Sequence, residues 1–335
     1  MPEEMSASDG KRAQFYDIIF EDNLTFDDIN LRYVLSTPNS PAKRLHFNMG
    51  TKKVDFLSQD SYKNLGPKNL KEYHCEKIMV KMRDDFEIPM VIKYDKRFYS
   101  ESSPWVLFTK GIQSDKSDTS WQRNDMAFMS RGVVCAYPLI RGSQYFDHDW
   151  LHAGVAERKL THIMDFIDSA IFLKEKGLTQ KLGVMGRGES GSLTALASLF
   201  QEPYLFESAV VVNPITDLVS HLLHDIENRQ AASTTLTALE HDQRHYDKLM
   251  EFGDPQSKIF YEAHKLISPY HMPIADSRAM NTDLMICVDE EFPYIYHARK
   301  LICKLRQIFH KDNSWIFYKE YRTNSLRPDE KYANQ

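Results

Sequence analysis

The sequence predicts an α/β fold: a mostly parallel sheet with helices on both faces, preceded by a few additional β-strands. Three observations carry this. Short continuous apolar runs recur from Trp105 onward and read as strands buried on both faces. Stretches with apolar residues at helical spacing separate them. Upstream of residue 74, β-forming runs alternate with turn residues and show no helical period.

In chain order, residues 1–14 are polar and read as a disordered tail. Residues 15–73 form a β-strand segment, with runs at Phe15–Phe20, Asn30–Ser36 and Arg44–Asn48. Turn residues at Thr37–Pro41 and Met49–Lys53 separate these runs, as in a β-meander. So few strands cannot bury a core alone, so they must pack on the rest of the chain or on a partner. From 74 to 320 the pattern changes to the α/β domain. It opens with a hairpin over 74–94, turning at Arg83-Asp84-Asp85. Strands follow at Trp105–Phe108, Arg131–Leu139, Leu182–Met185, Ser208–Val212, Asp283–Val288 and Ser314–Tyr318. Helical spacing marks Arg158–Lys176, with Gly177 where a C-terminal cap belongs, and Tyr294–Phe309. Residues 225–250 are polar and read as a helix-containing excursion over the sheet edge, and 321–335 as a tail.

Composition narrows the function classes. The chain has 335 residues, 42% of them hydrophobic, enough for a large core. A net charge of −5 without a basic stripe argues against a nucleic-acid partner. No apolar run approaches the roughly 18 residues that span a bilayer, and the N-terminus shows no signal-peptide pattern. The four cysteines are widely spaced and lack a C-x-x-C pair, as expected of reduced thiols in an intracellular, most readily cytoplasmic, protein. The sequence shows no cofactor signature and no metal-ligand set. His221 and His224 have i, i+3 spacing but no clear third ligand.

The chemical focus is Gly188-Glu189-Ser190-Gly191-Ser192, which follows a buried strand and precedes a helical stretch. This is the setting of a G-x-S-x-G nucleophile elbow, with Ser192 in place of the second glycine. The α/β-hydrolase fold places its nucleophile on such a turn, so Ser190 is the nucleophile candidate. Glu189 puts negative charge where acyl transfer would build an oxyanion.

Further segments carry a family likeness. Leu139–Tyr145 with Trp150 and Gly154, Glu202–Phe206, Glu251–Pro255 with Leu266–Tyr270, and Asp289–Tyr294 with Lys300 and Lys304–Arg306 are the stretches concerned. Together they resemble the prolyl oligopeptidase family of serine peptidases, with oligopeptidase B the nearest branch. Residues 23–53 resemble the last strands of that family's β-propeller. The resemblance implies catalytic roles for Ser190 as nucleophile and Asp289 as the acid that orients a histidine. That histidine would stand about 35 residues beyond Asp289. The stretch Tyr318–Gln335 has none, and Ser325 falls near its place. Lys110 stands where the family has its oxyanion-hole tyrosine.

A serine hydroxyl is a poor nucleophile until a base takes its proton. Losing one triad member costs on the order of 10⁴-fold in rate. The expectation is a family member that keeps the hydrolase fold but is inactive, a binding or structural subunit joined to protein partners or to itself through the β-strand segment. The alternative is an active serine peptidase or esterase using Ser190 with a relocated base, for which His148, His152, His162, His221, His224 and His297 are the candidates. A gene model cut short of the histidine is a third reading.

Overall fold

The computed structural model describes residues 17–22, 25–38, 40–59, 72–114, 120–232, 246–273, 282–309 and 316–322. Two sheets organise them. The first is antiparallel, with strands β1 (Asp17–Phe20), β2 (Asn30–Thr37), β3 (Ser40–Asn48) and β4 (Val54–Gln59) paired in sequence order. Strand β4 was not among the strands read from the sequence. Its residues Val54-Asp55-Phe56-Leu57 alternate only briefly, and pairing with β3 supplies what the local pattern lacks.

The second sheet has eight strands: β5 (Tyr73–Lys81), β6 (Glu87–Asp95), β7 (Trp105–Thr109), β8 (Val134–Pro138), β9 (Leu182–Arg187), β10 (Ser208–Val212), β11 (Asp283–Asp289) and β12 (Ile316–Tyr321). Their spatial order is β12-β11-β10-β9-β7-β8-β6-β5. Strands β7 to β12 run parallel to one another, while β5 and β6 form an antiparallel hairpin at one edge, with β6 antiparallel to β8. This is the α/β-hydrolase sheet. The order reverses between β7 and β9, and such a switch point opens a crevice at the carboxyl ends of the strands.

Helices cover both faces because strand alternation sends neighbouring side chains to opposite sides. On one face Met90, Ile92, Val134 and Ala136 join the large core with helices α3 (Lys159–Glu175), α4 (Gly188–Gln201) and α7 (Ile295–Phe309). On the other, Val91, Cys135 and Tyr137 pack with Met129 of α1 (Arg123–Met129). Helix α2 (His148–His152) lies between β8 and α3. Helices α5 (Leu218–Ala232) and α6 (Lys258–Ile267), with a helical segment at 246–252, form the excursion between β10 and β11. A backbone hydrogen bond from Trp121 to the Thr37 carbonyl, 3.0 Å, ties the small sheet to the large one. Among the described residues no helix is long and apolar enough to cross a membrane.

Candidate active site

Strand β9 runs directly into α4, so the Gly186–Ser192 segment turns sharply at the carboxyl edge of the sheet. The residue in the left-handed region is Gly188, with φ 74°. Ser190 lies two residues further, in the first turn of α4, and is not among the positive-φ residues. The vertex of the turn therefore differs by two positions from the sequence expectation. The physical reason is local. Glycine adopts this φ freely, whereas it costs a residue with a Cβ about 1–2 kcal/mol, and Gly188 is the glycine directly after the strand. Gly186 and Ser190 then supply the small residues two before and two after the vertex. A Cβ at Gly186 would fall 2.5 Å from the Gly191 carbonyl oxygen.

Ser190 is 3% exposed and its hydroxyl is enclosed. The Oγ donates a short hydrogen bond to Glu251 Oε1. It accepts one from the Ile112 backbone amide at 3.0 Å and lies 3.4 Å from Lys159 Nζ. Lys159 and Glu251 themselves form a buried ion pair. Above them the loop after β7 comes so close that a Cβ on Gly111 would fall 2.0 Å from Ser190 Oγ. Three polar groups thus satisfy one another in the interior, as buried polar groups must.

The other expected site residues are elsewhere. Asp289 ends β11; its amide donates to Asn213 Oδ1 at 2.9 Å and its Oδ1 accepts from the Glu291 amide at 3.0 Å. Among the described residues Asp289 has no hydrogen bond to Ser190 or to a histidine. Lys110 follows β7 and its amide donates to Ser114 Oγ at 3.1 Å. Ser325 lies outside the described residues. No imidazole hydrogen-bonds to Ser190 among the described residues. His162 is buried, with Nδ1 2.7 Å from the Arg141 carbonyl oxygen. Burial, and then the Lys159 charge, push it far below its ordinary pKa. His148 and His152 face each other on α2, Nε2 to Nε2 3.0 Å.

A second polar cluster sits beside the turn. Glu189 Oε2 is 3.5 Å from Nε2 of the buried His221. Burial raises the Glu189 carboxyl, but His221 outweighs it and holds the group below its usual range. His221 packs edge-on against Tyr294 and faces His297 at 5.4 Å between ring centroids. Burial and His221 lower His297 to about 3. Asp217 completes the cluster: burial opposes its charge, but Lys300 at 2.8 Å, Ser220 and His271 hold it strongly ionised. Among the described residues no group of three His, Cys, Asp or Glu side chains is placed to hold a metal ion.

Sequence reasoning missed Lys159 and the hydrogen bonds that Glu251 accepts from it and from Ser190. Glu251 lay in a segment carrying the family likeness, yet nothing local shows that residues 92 positions apart pair in the core.

Comparison with known proteins gives the family. The profile described as the prolyl oligopeptidase family matches residues 120–307, more than half of the chain. The chain belongs to the prolyl oligopeptidase family. Among curated relatives, dipeptidyl aminopeptidase BI of Pseudoxanthomonas mexicana is 25% identical over 244 residues, covering 72% of this chain and 31% of that protein. Protease 2 of Moraxella lacunata is 25% identical over 201 residues, covering 59% and 27%. Among solved structures, oligopeptidase B from Leishmania major superposes with a TM-score of 0.73 at 18% identity, over 94% of this chain and 43% of that one. Prolyl oligopeptidase B from Galerina marginata gives 0.74 at 18% identity, over 95% and 43%. The chain spans about a third of these curated relatives and less than half of these solved chains. The family fold joins an α/β-hydrolase to a β-propeller, and the four-stranded sheet here resembles the end of that propeller.

Proposed function

We propose that this family member keeps the hydrolase fold without peptidase chemistry at Ser190 and acts as a binding or structural subunit of a larger assembly. The enclosure of the Ser190 hydroxyl carries this reading. An attacking oxygen needs a carbonyl carbon within roughly 3–3.5 Å in an open approach. Glu251, Lys159, Ile112 and the Gly111 backbone already surround this oxygen. The turn vertex, where the fold presents a nucleophile, is Gly188 and has no side chain to present. The sequence from Tyr318 to Gln335 adds no histidine where the family places one.

The four-stranded sheet supports a partner role. Ile19, Phe20, Phe26, Ile29, Phe56 and Leu57 are exposed in or beside it. Exposed apolar surface of this kind favours association.

A fluorophosphonate probe tests the chemistry. Labelling at the background level, identical in wild type and Ser190→Ala, is expected. Strong labelling abolished by Ser190→Ala would sink the reading. Affinity purification of the native protein tests the subunit role, with a stable assembly expected and a free, hydrolytically active monomer contradicting it. One observation favours the second reading, an active hydrolase with a relocated base: Glu251 accepts a hydrogen bond from the Ser190 hydroxyl, the contact a general base makes. The same probe decides between them.

A further inference from the structure

Helix α2 carries two histidines one turn apart, at i and i+4, and both side chains are exposed. Their rings meet. The centroids are 4.1 Å apart with the planes at 61°, and Nε2 of His148 lies 3.0 Å from Nε2 of His152. Two neutral imidazoles can share a proton across this gap, but an exposed bond of that kind competes with water. The same convergence suits two ligands of one ion. At metal–imidazole bond lengths of roughly 2.0–2.1 Å, two nitrogens 3.0 Å apart subtend about 91–97° at the ion. That is the angle between adjacent positions of a tetragonal or octahedral site. Among the described residues no third His, Cys, Asp or Glu is placed to join the pair, so water would fill the other positions.

The pair stands on a fixed base. Asp147 caps α2, its Oδ1 accepting from the Trp150 amide at 3.0 Å. Trp150 lies between the two histidines in sequence and packs against the core. Its indole Nε1 donates to the Ile140 carbonyl oxygen at 3.0 Å, and its ring meets Phe146 edge-on and Phe86 at a tilt. The Gly142 amide donates to the Trp150 carbonyl oxygen at 2.9 Å. A Cβ on Gly154 would fall 2.4 Å from the Arg141 carbonyl oxygen, so the two ends of this loop touch. A five-residue helix is too short to be stable alone, and these contacts hold it. Ligands on a held turn lose little freedom on binding. Local charge favours a cation. Asp147 and Asp149 flank His148 and are exposed, while the Arg141 guanidinium at the base of the loop is paired with Asp165 and Asp84.

We propose that His148 and His152 form a two-histidine site for one divalent transition-metal ion of the copper, nickel or zinc kind, with water completing its coordination. Each imidazole gives the lone pair of Nε2 to the ion. The site rests on neither the chemistry of Ser190 nor the subunit role, so it goes beyond the reading above and stands or falls separately from it.

Calorimetric titration of the full chain with Ni²⁺, after removal of bound metal by a chelator, tests it in wild type, His148→Gln and His152→Gln. Both positions are exposed, so the variants are expected to keep the wild-type thermal midpoint without metal. Wild type is expected to show a saturable Ni²⁺ site that each variant weakens by at least about tenfold. Cu²⁺ is expected to bind the same site more tightly, in line with the usual order of divalent-ion affinities, and to give a spin-resonance signal with two equatorial nitrogens that neither variant reproduces. Excess Mg²⁺, which prefers oxygen ligands, is expected to leave Ni²⁺ bound. Equal Ni²⁺ binding in wild type and both variants would assign the metal to other side chains and overturn the proposal. So would the lack of any saturable Ni²⁺ binding in wild type at micromolar concentration, or displacement of Ni²⁺ by Mg²⁺.

Discussion

At the residue scale, Ser190, Lys159 and Glu251 come from the start of α4, the start of α3 and the segment at 246–252. A lysine serves as a base when apolar surroundings strip its proton, whereas Lys159 faces a carboxylate. The pair is buried, so its two halves depend on each other. Glu251→Gln leaves an ammonium without a counter-charge in the interior and is expected to cost about 3–5 kcal/mol. The double replacement Lys159→Met with Glu251→Leu removes both charges and is expected to cost much less. Urea denaturation of the three proteins checks this; equal losses for the single and double variants would show the pair to be uncoupled. Ser190→Ala removes the hydrogen bond donated to Glu251 and the one accepted from the Ile112 amide and is expected to cost about 2–4 kcal/mol. A residue that matters to this cluster more for packing than for catalysis should behave in this way.

At the element scale, the β9–α4 connection depends on two backbone features. Gly188 takes a left-handed φ, and Gly111 brings the β7 loop onto Ser190. A Cβ at Gly188 meets only Gln113 Oε1, at 3.2 Å, so Gly188→Ala is expected to cost little beyond its backbone strain, about 1–2 kcal/mol. Gly111→Ala carries similar strain, with φ 65°, and also drives a methyl into Ser190. It should destabilise more than Gly188→Ala, and the thermal midpoints of the two variants order them. Much of this scale was legible in sequence. The hairpin, β7, β9, β10, β11, α3 and α7 follow from apolar periodicity and length. Strand β4 was not legible because its signal is its pairing with β3. The vertex was not legible because Gly186-Arg187-Gly188-Glu189-Ser190-Gly191-Ser192 has a small residue at every second position and fits two registers, which only the backbone dihedrals separate.

At the scale of the whole molecule, buried titratable groups set the response to acid. His297 is held neutral, its pKa lowered from 6.5 to about 3. The unfolded chain therefore binds a proton in that window that the folded protein refuses, so stability rises with pH across it. Glu189 and Asp217, both held below their ordinary values, act in the same direction at the acid end, since folding favours their charged forms. The thermal midpoint is expected to fall as pH drops below about 6.5, and to fall less steeply in His297→Asn. A midpoint that is flat between pH 7 and pH 4 would contradict this account.

By itself, the sequence determined the α/β-hydrolase fold, the family resemblance and the segment where strand meets helix. These rest on local patterns, namely apolar period, turn residues and short motifs, which survive without knowledge of distant contacts. Only the tertiary structure decided what surrounds Ser190. A side chain's chemistry depends on which groups share its few ångströms of space, and Lys159, Glu251 and the Gly111 loop reach it from elements 31, 61 and 79 residues away. For the same reason no local pattern announces the cleft lined by Phe108, Tyr137, Met185 and Phe128, which come from three strands and one helix that meet only when the sheet forms.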